Sequence, residues 1–158
     1  VRDTLSVRQY QKSYDMPVKE KYQQSGFDVY VENNLDFYPL IKDSRLVVLS
    51  YMGTTWLETL MNNIPTVVFV NPECWEFRDS VQPFMDQLRE IGILHDTPQS
   101  AALHINNTVN HIENWWSGND LQTIRMKFCQ NYAYTDKYWR DVWAETITDA
   151  IKQEFVST

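Results

Sequence analysis

The stretch Leu46 to Thr66, LVVLSYMGTTWLETLMNNIPT, decides the fold. It opens on Leu46-Val47-Val48-Leu49, apolar at every position, the pattern of a parallel strand covered by helices on both faces. The run ends at Ser50 and the chain turns at Gly53. Leu57, Leu60, Met61 and Ile64 then recur on one helical stripe until Pro65 stops it. Thr66 to Val70 is a second apolar run. Strand, helix and strand in so short a span make a β-α-β unit, the building element of parallel sheets.

Outward from this unit, Leu5 to Arg8 and Asp28 to Val31 read as two further strands, so the first part of the chain alternates strands with helices. Downstream the pattern turns helical. Phe77, Val81, Phe84, Leu88 and Ile91 recur at helical spacing, and Gly92-Ile93-Leu94 is a short strand ending at His95. Thr97 caps a further helix with Pro98 at its first position and Ala101, Ala102, Ile105, Val109, Ile112 and Trp116 facing inward. Leu121, Ile124, Phe128 and Tyr132 mark another. Asp136 caps the last, whose stripe is Trp139, Trp143, Ile147, Ile151 and Phe155. No repeat or linker interrupts the chain, so residues 1–158 are read as a single α/β domain with a helical C-terminal tail.

With 158 residues, 43% of them hydrophobic and 22% charged, the chain is long enough for one packed core and unlike a disordered tail. Its formal charge of -7 is the wrong sign for gripping nucleic acid through phosphates, and no apolar run approaches the roughly 20 residues of a membrane helix. Cys74 and Cys129 lack metal or redox spacing and are expected as buried thiols in a reducing cytoplasm. The sequon Asn106-Asn107-Thr108 follows no export signal, so a bare asparagine is expected. The sequence opens at Val1 in a segment that reads as mid-domain, and the expectation is a fragment whose N-terminal half lies on other residues.

The turn after the first apolar strand carries the chemistry. A helix that starts at Gly53 offers free backbone amides beside the Thr54 and Thr55 hydroxyls, and both the amides and the helix dipole favour an anion there. Glu58 lies one turn along the same face as Thr54, where a carboxylate can accept from two adjacent hydroxyls such as those of a ribose. Ordinary capping and dipole compensation would use the same residue types. Asn71 follows the strand Thr66 to Val70, at the carboxyl end where open α/β sheets bind ligands, although Asn71-Pro72 also suits a plain turn. Glu73 and Glu76 suit a helix start.

These pieces, Ser50, Gly53-Thr54-Thr55, Glu58 and Asn63-Ile64-Pro65, resemble in order and spacing the nucleotide-sugar half of GT-B glycosyltransferases and of nucleotide-sugar 2-epimerases. More closely, the block from Gly53 to Tyr132, with NIPTVVF, NPECWE, FMDQLREIGILHDTPQSAA, WW and KFCQNY, is similar to the C-terminal part of surface-polysaccharide transferases from bacterial O-antigen loci. The wider relatives of those proteins include the Kdo transferases, which use a CMP-activated sugar. The resemblance implies a Rossmann-like parallel sheet flanked by helices, the C-terminal half of a GT-B enzyme. It implies a nucleotide-sugar donor linked to CMP, UDP or GDP, a glycan acceptor, and a place at the inner face of the bacterial membrane.

By the same resemblance the strand ending Val7-Arg8, followed by Tyr10, leads to a loop running toward the donor cleft. Residues 1–25 hold five basic against three acidic side chains in an otherwise acidic protein, so Arg8 or Lys12 suits a phosphate, with a solvated loop as the plain alternative. The expected nucleotide-sugar set is therefore Ser50, Gly53, Thr54, Thr55, Glu58, Arg8 and Asn71. No Asp-x-Asp motif is present and His95, His104 and His111 have no ligand spacing, so neither metal nor cofactor is expected. Trp115, Trp116, Trp139 and Trp143 are expected to pack together as a helix cluster, with sugar stacking as the alternative. An epimerase and a non-catalytic assembly module are the rival readings.

Overall fold

The computed structural model describes residues 6–8, 17–25, 30–32 and 37–156. The chain divides into two compact units, Val1–Asp43 and Ser44–Thr158. In the first, β1 (Ser6–Arg8) and β2 (Tyr30–Glu32) pair in parallel with Val7 opposite Val31, and α1 (Val18–Gln24) lies between them in sequence. A short helix, α2 (Phe37–Lys42), follows. The expected strands over residues 5–8 and 28–31 are thus met at residues 6–8 and 30–31, while Leu5, Asp28 and Val29 lie outside the described residues.

The second unit is a Rossmann-like α/β arrangement. Strands β3 (Val47–Leu49), β4 (Thr66–Phe69) and β5 (Leu94–His95) pair in parallel in that order, with Val48 opposite Val67 and Phe69 opposite His95. Helix α3 (Thr54–Met61) crosses from β3 to β4, and α4 (Gln82–Glu90) precedes β5. Helices α5 (Pro98–Thr108), α6 (Ile112–Trp116), α7 (Asn119–Tyr132) and α8 (Trp139–Val156) form the helical C-terminal part. Thr66, Val67 and Val68 on the middle strand are fully buried, as a strand covered on both faces requires. Val48 on β3 is 46% exposed while Val47 beside it is buried, against the expectation from its apolar run, because among the described residues only one face of β3 is covered.

The core is built where helical and strand stripes meet: Trp56 and Leu60 of α3, Met85 and Leu88 of α4, and Leu121 and Phe128 of α7 close over Val68 and Leu94. Burying such side chains stabilises the fold by about 1.5–3 kcal/mol each. The C-terminus of α3 is fixed by a Schellman pair, Ile64 N–H to Thr59 O at 2.9 Å and Asn63 N–H to Leu60 O at 3.1 Å. Asn63 takes the left-handed conformation this needs, with φ of 57°. Its own oxygens then accept from the Trp116 indole at 2.9 and 3.1 Å, which ties the start of β4 to α6.

Several helix expectations shift. The helix expected from Phe77 begins at Gln82, with residues 75–78 outside any helix or strand, because Pro83 belongs in a first helical turn. Thr97 does cap α5, its Oγ1 accepting from Ser100 N–H at 3.1 Å, but the helix is interrupted by a 3-10 turn at Val109–His111, and Ala102 faces solvent. Trp115 and Trp116 pack together at 5.4 Å between ring centroids. Trp139 and Trp143 do not join them: they are 54% and 62% exposed, and every α8 side chain from Trp139 to Lys152 is solvent-facing. Cys129 is half-buried, whereas Cys74 is exposed in the 3-10 turn Pro72–Cys74 rather than buried. Among the described residues no helix is long and apolar enough to cross a membrane.

Candidate functional site

Parallel pairing puts the carboxyl ends of β3, β4 and β5 on one edge, so Ser50, Asn71 and the His95 end of β5 share that edge with the first turn of α3. Gly53 is the N-cap of α3 in extended conformation, φ -89° and ψ -161°, and no side chain caps it. Among the described residues the helix therefore begins with amides that no capping side-chain oxygen occupies, the condition for holding an anion. Thr54 is exposed and Thr55 half-buried, while Trp56, Thr59 and Leu60 face the core. Glu58 is exposed, like Thr54 one turn before it, and its carboxylate pairs with no cation among the described residues.

Tyr51 and Trp75, absent from the sequence-derived set, stand at the same edge. Their rings meet edge to face at 5.5 Å, and Tyr51 is 64% exposed. Tyr51 lies against Gly53 so closely that a Cβ there would sit 2.5 Å from its ring. The smallness of Gly53 thus has a structural cause besides any ligand. An aromatic residue immediately before the turn was the available signal.

Asn71 is engaged locally: its Oδ1 accepts from Glu73 N–H at 3.0 Å and caps the 3-10 turn, so the plain-turn reading of Asn71-Pro72 holds for that oxygen. Ser50 is exposed. Arg8 ends β1 in the first unit, with its side chain outside the described residues, as are Tyr10 and Lys12.

His95 folds back to bond Gly92 O at 3.0 Å, and its ring lies 5.2 Å from that of His104, which packs edge-on against Trp115 at 4.8 Å. Burial lowers both histidine pKa values from the usual range, and for His104 the neighbouring His95 lowers it further. Gly92 takes φ of 77°, and a Cβ there would collide with the His104 ring. This is a packing cluster. Among the described residues no group of three metal-binding side chains forms.

A family model described as LIC12162 family transferase matches residues 1–147. No curated protein matches the chain, and no solved structure matches it.

Proposed function

Because the chain belongs to the LIC12162 family of transferases, we propose that the transferred group is a sugar, and that this region binds a nucleotide-activated donor in the manner of a GT-B glycosyltransferase, for transfer to a surface polysaccharide or lipopolysaccharide. The observation that carries the reading is the uncapped N-terminus of α3 at the carboxyl edge of a parallel sheet.

In this reading the Thr54 and Thr55 amides and hydroxyls donate to the donor's phosphate, Gly53 leaves its approach open, and Ser50 and Asn71 flank it. Glu58 accepts from the ribose hydroxyls. As the bond from the sugar carbon to the phosphate oxygen breaks, its electron pair stays on that oxygen. The amides meet the growing charge while the acceptor hydroxyl forms the new bond to the sugar carbon and its proton passes to water. The chemistry asked of these residues is therefore electrostatic.

Calorimetric titration with CMP, UDP and GDP tests the reading. One of them binds, and Glu58→Ala weakens it by about 1–3 kcal/mol, roughly 5- to 150-fold, the worth of a charge-assisted hydrogen bond. Absence of binding by all three removes the donor reading, and unchanged affinity in a folded Glu58→Ala protein removes the ribose role. Conversion of a sugar nucleotide without any acceptor would move the assignment to an epimerase.

A further inference from the structure

Arg125 occupies the apolar phase of α7, one turn after Leu121 and three residues before Phe128, and is only 8% exposed. Its Nη1 donates to Leu60 O at 2.6 Å, and Nε and Nη2 donate to Gln122 Oε1 at 3.1 and 2.9 Å. Among the described residues no carboxylate pairs with it. A buried guanidinium without a counter-charge is costly. The Leu60 carbonyl belongs to the last turn of α3, whose dipole supplies only about half a negative charge. The neighbouring Cys129 hydrogen-bonds Arg125 but supplies no charge, because burial pushes its thiol up from its ordinary pKa against the opposing pull of the guanidinium.

Three of the five guanidinium N–H donors are used by oxygens and the guanidinium also hydrogen-bonds the Cys129 side chain, leaving one donor for a ligand. Arg125 also lines an open cavity of about 270 Å³ bounded by Met61, Met126, Cys129, Ala133 and Tyr134. At about 30 Å³ for a water-sized group, that space takes roughly nine non-hydrogen atoms. Arg125 brings a cationic group to it, Met61, Met126 and Ala133 line it with apolar surface, and Gln130 and Thr135 complete the lining. We propose that this cavity is a subsite for a carboxylate borne on a short apolar group, the carboxylate on Arg125 and the apolar stem against Met61, Met126 and Ala133.

The test is thermal unfolding of the whole chain in sodium hexanoate, with sodium chloride, sodium phosphate and hexylammonium chloride at matched ionic strength. Hexanoate at about ten times its dissociation constant raises Tm by roughly 2–5 °C, and the other three salts do not. Cys129→Asp places a carboxylate beside the guanidinium, so its Tm lies above that of the parent and no longer responds to hexanoate. Ala133→Leu fills the apolar wall and also loses the response, which keeps the test decisive if Cys129→Asp fails to fold. The proposal is overturned if hexanoate leaves Tm unchanged, if phosphate or hexylammonium shifts it equally, or if the shift persists in both variants.

Discussion

Gly53→Ala separates two reasons for a glycine at the start of α3, and its cost can be worked from the geometry. The new Cβ would meet the Tyr51 ring at 2.5 Å, about 1 Å inside ordinary carbon contact, and the ring is an exposed, movable group. Tyr51 therefore swings away and loses its edge contact with Trp75, about 0.5–1.5 kcal/mol. Alanine is also the poorer N-cap, by up to about 1 kcal/mol. The single substitution should cost about 1–2 kcal/mol, read by urea unfolding followed through tryptophan fluorescence. In a Tyr51→Ala background only the capping part remains, so the double-mutant cycle should show a coupling of about 0.5–1.5 kcal/mol. Nucleotide titration of the same four proteins reads the second reason. Affinity that falls with Gly53→Ala in both backgrounds means that the glycine also serves the ligand; affinity restored by removing Tyr51 means that it serves the ring alone. A coupling indistinguishable from zero would refute the contact reasoning itself.

Three other outcomes follow from the same coordinates. Burial depresses His95 and His104, so the unfolded chain binds more protons below the ordinary histidine pKa near 6.5. Their contribution is complete above that pH and is lost as pH falls through the lower folded values; Asp96 beside His95 opposes the loss, and Arg89 holds Asp96 at 2.9 Å. The urea midpoint should fall between pH 7 and 5, less steeply in His104→Gln; an equal slope would exclude His104 as its source. Asn63→Ala should cost about 1–3 kcal/mol, from left-handed strain and the lost acceptor for Trp116 and Gln122, and Asn63→Gly should recover only the backbone part. In a thiol-reagent time course at pH 8, Cys74 should react at once and Cys129 slowly, and urea should make the two rates equal.

What the sequence disclosed is what a local pattern can encode. The β-α-β unit over residues 46–70 was readable because a buried middle strand must be apolar on both faces and a helix on one stripe, and both periods are written in consecutive residues. Thr97 and Pro98 were readable as a helix start for a similarly local reason. Tyr51 and Trp75 were not, because their meeting depends on two strand ends brought together by the sheet, 24 positions apart in the chain. Arg125 does leave a trace in the sequence: a charged residue in phase with Leu121 and Phe128 contradicts the apolar stripe, and such a conflict marks a buried polar contact.

Helix α8 shows where periodicity stops being informative. Trp139, Trp143, Ile147 and Ile151 recur every four residues, and that spacing correctly gives one apolar face on one helix. The inference that this face packs with Trp115 and Trp116 needed a further premise, that the loop before it turns the stripe toward them. Nothing in the loop specifies that turn. Asp136 accepts from Tyr138 N–H at 2.6 Å, which fixes where the helix begins but not which way its face points. The same distinction applies at α3. There the helix start sits between two paired strands, so its direction is set by the sheet, and a reading of its first turn as a ligand site rests on geometry that local sequence and strand pairing specify together.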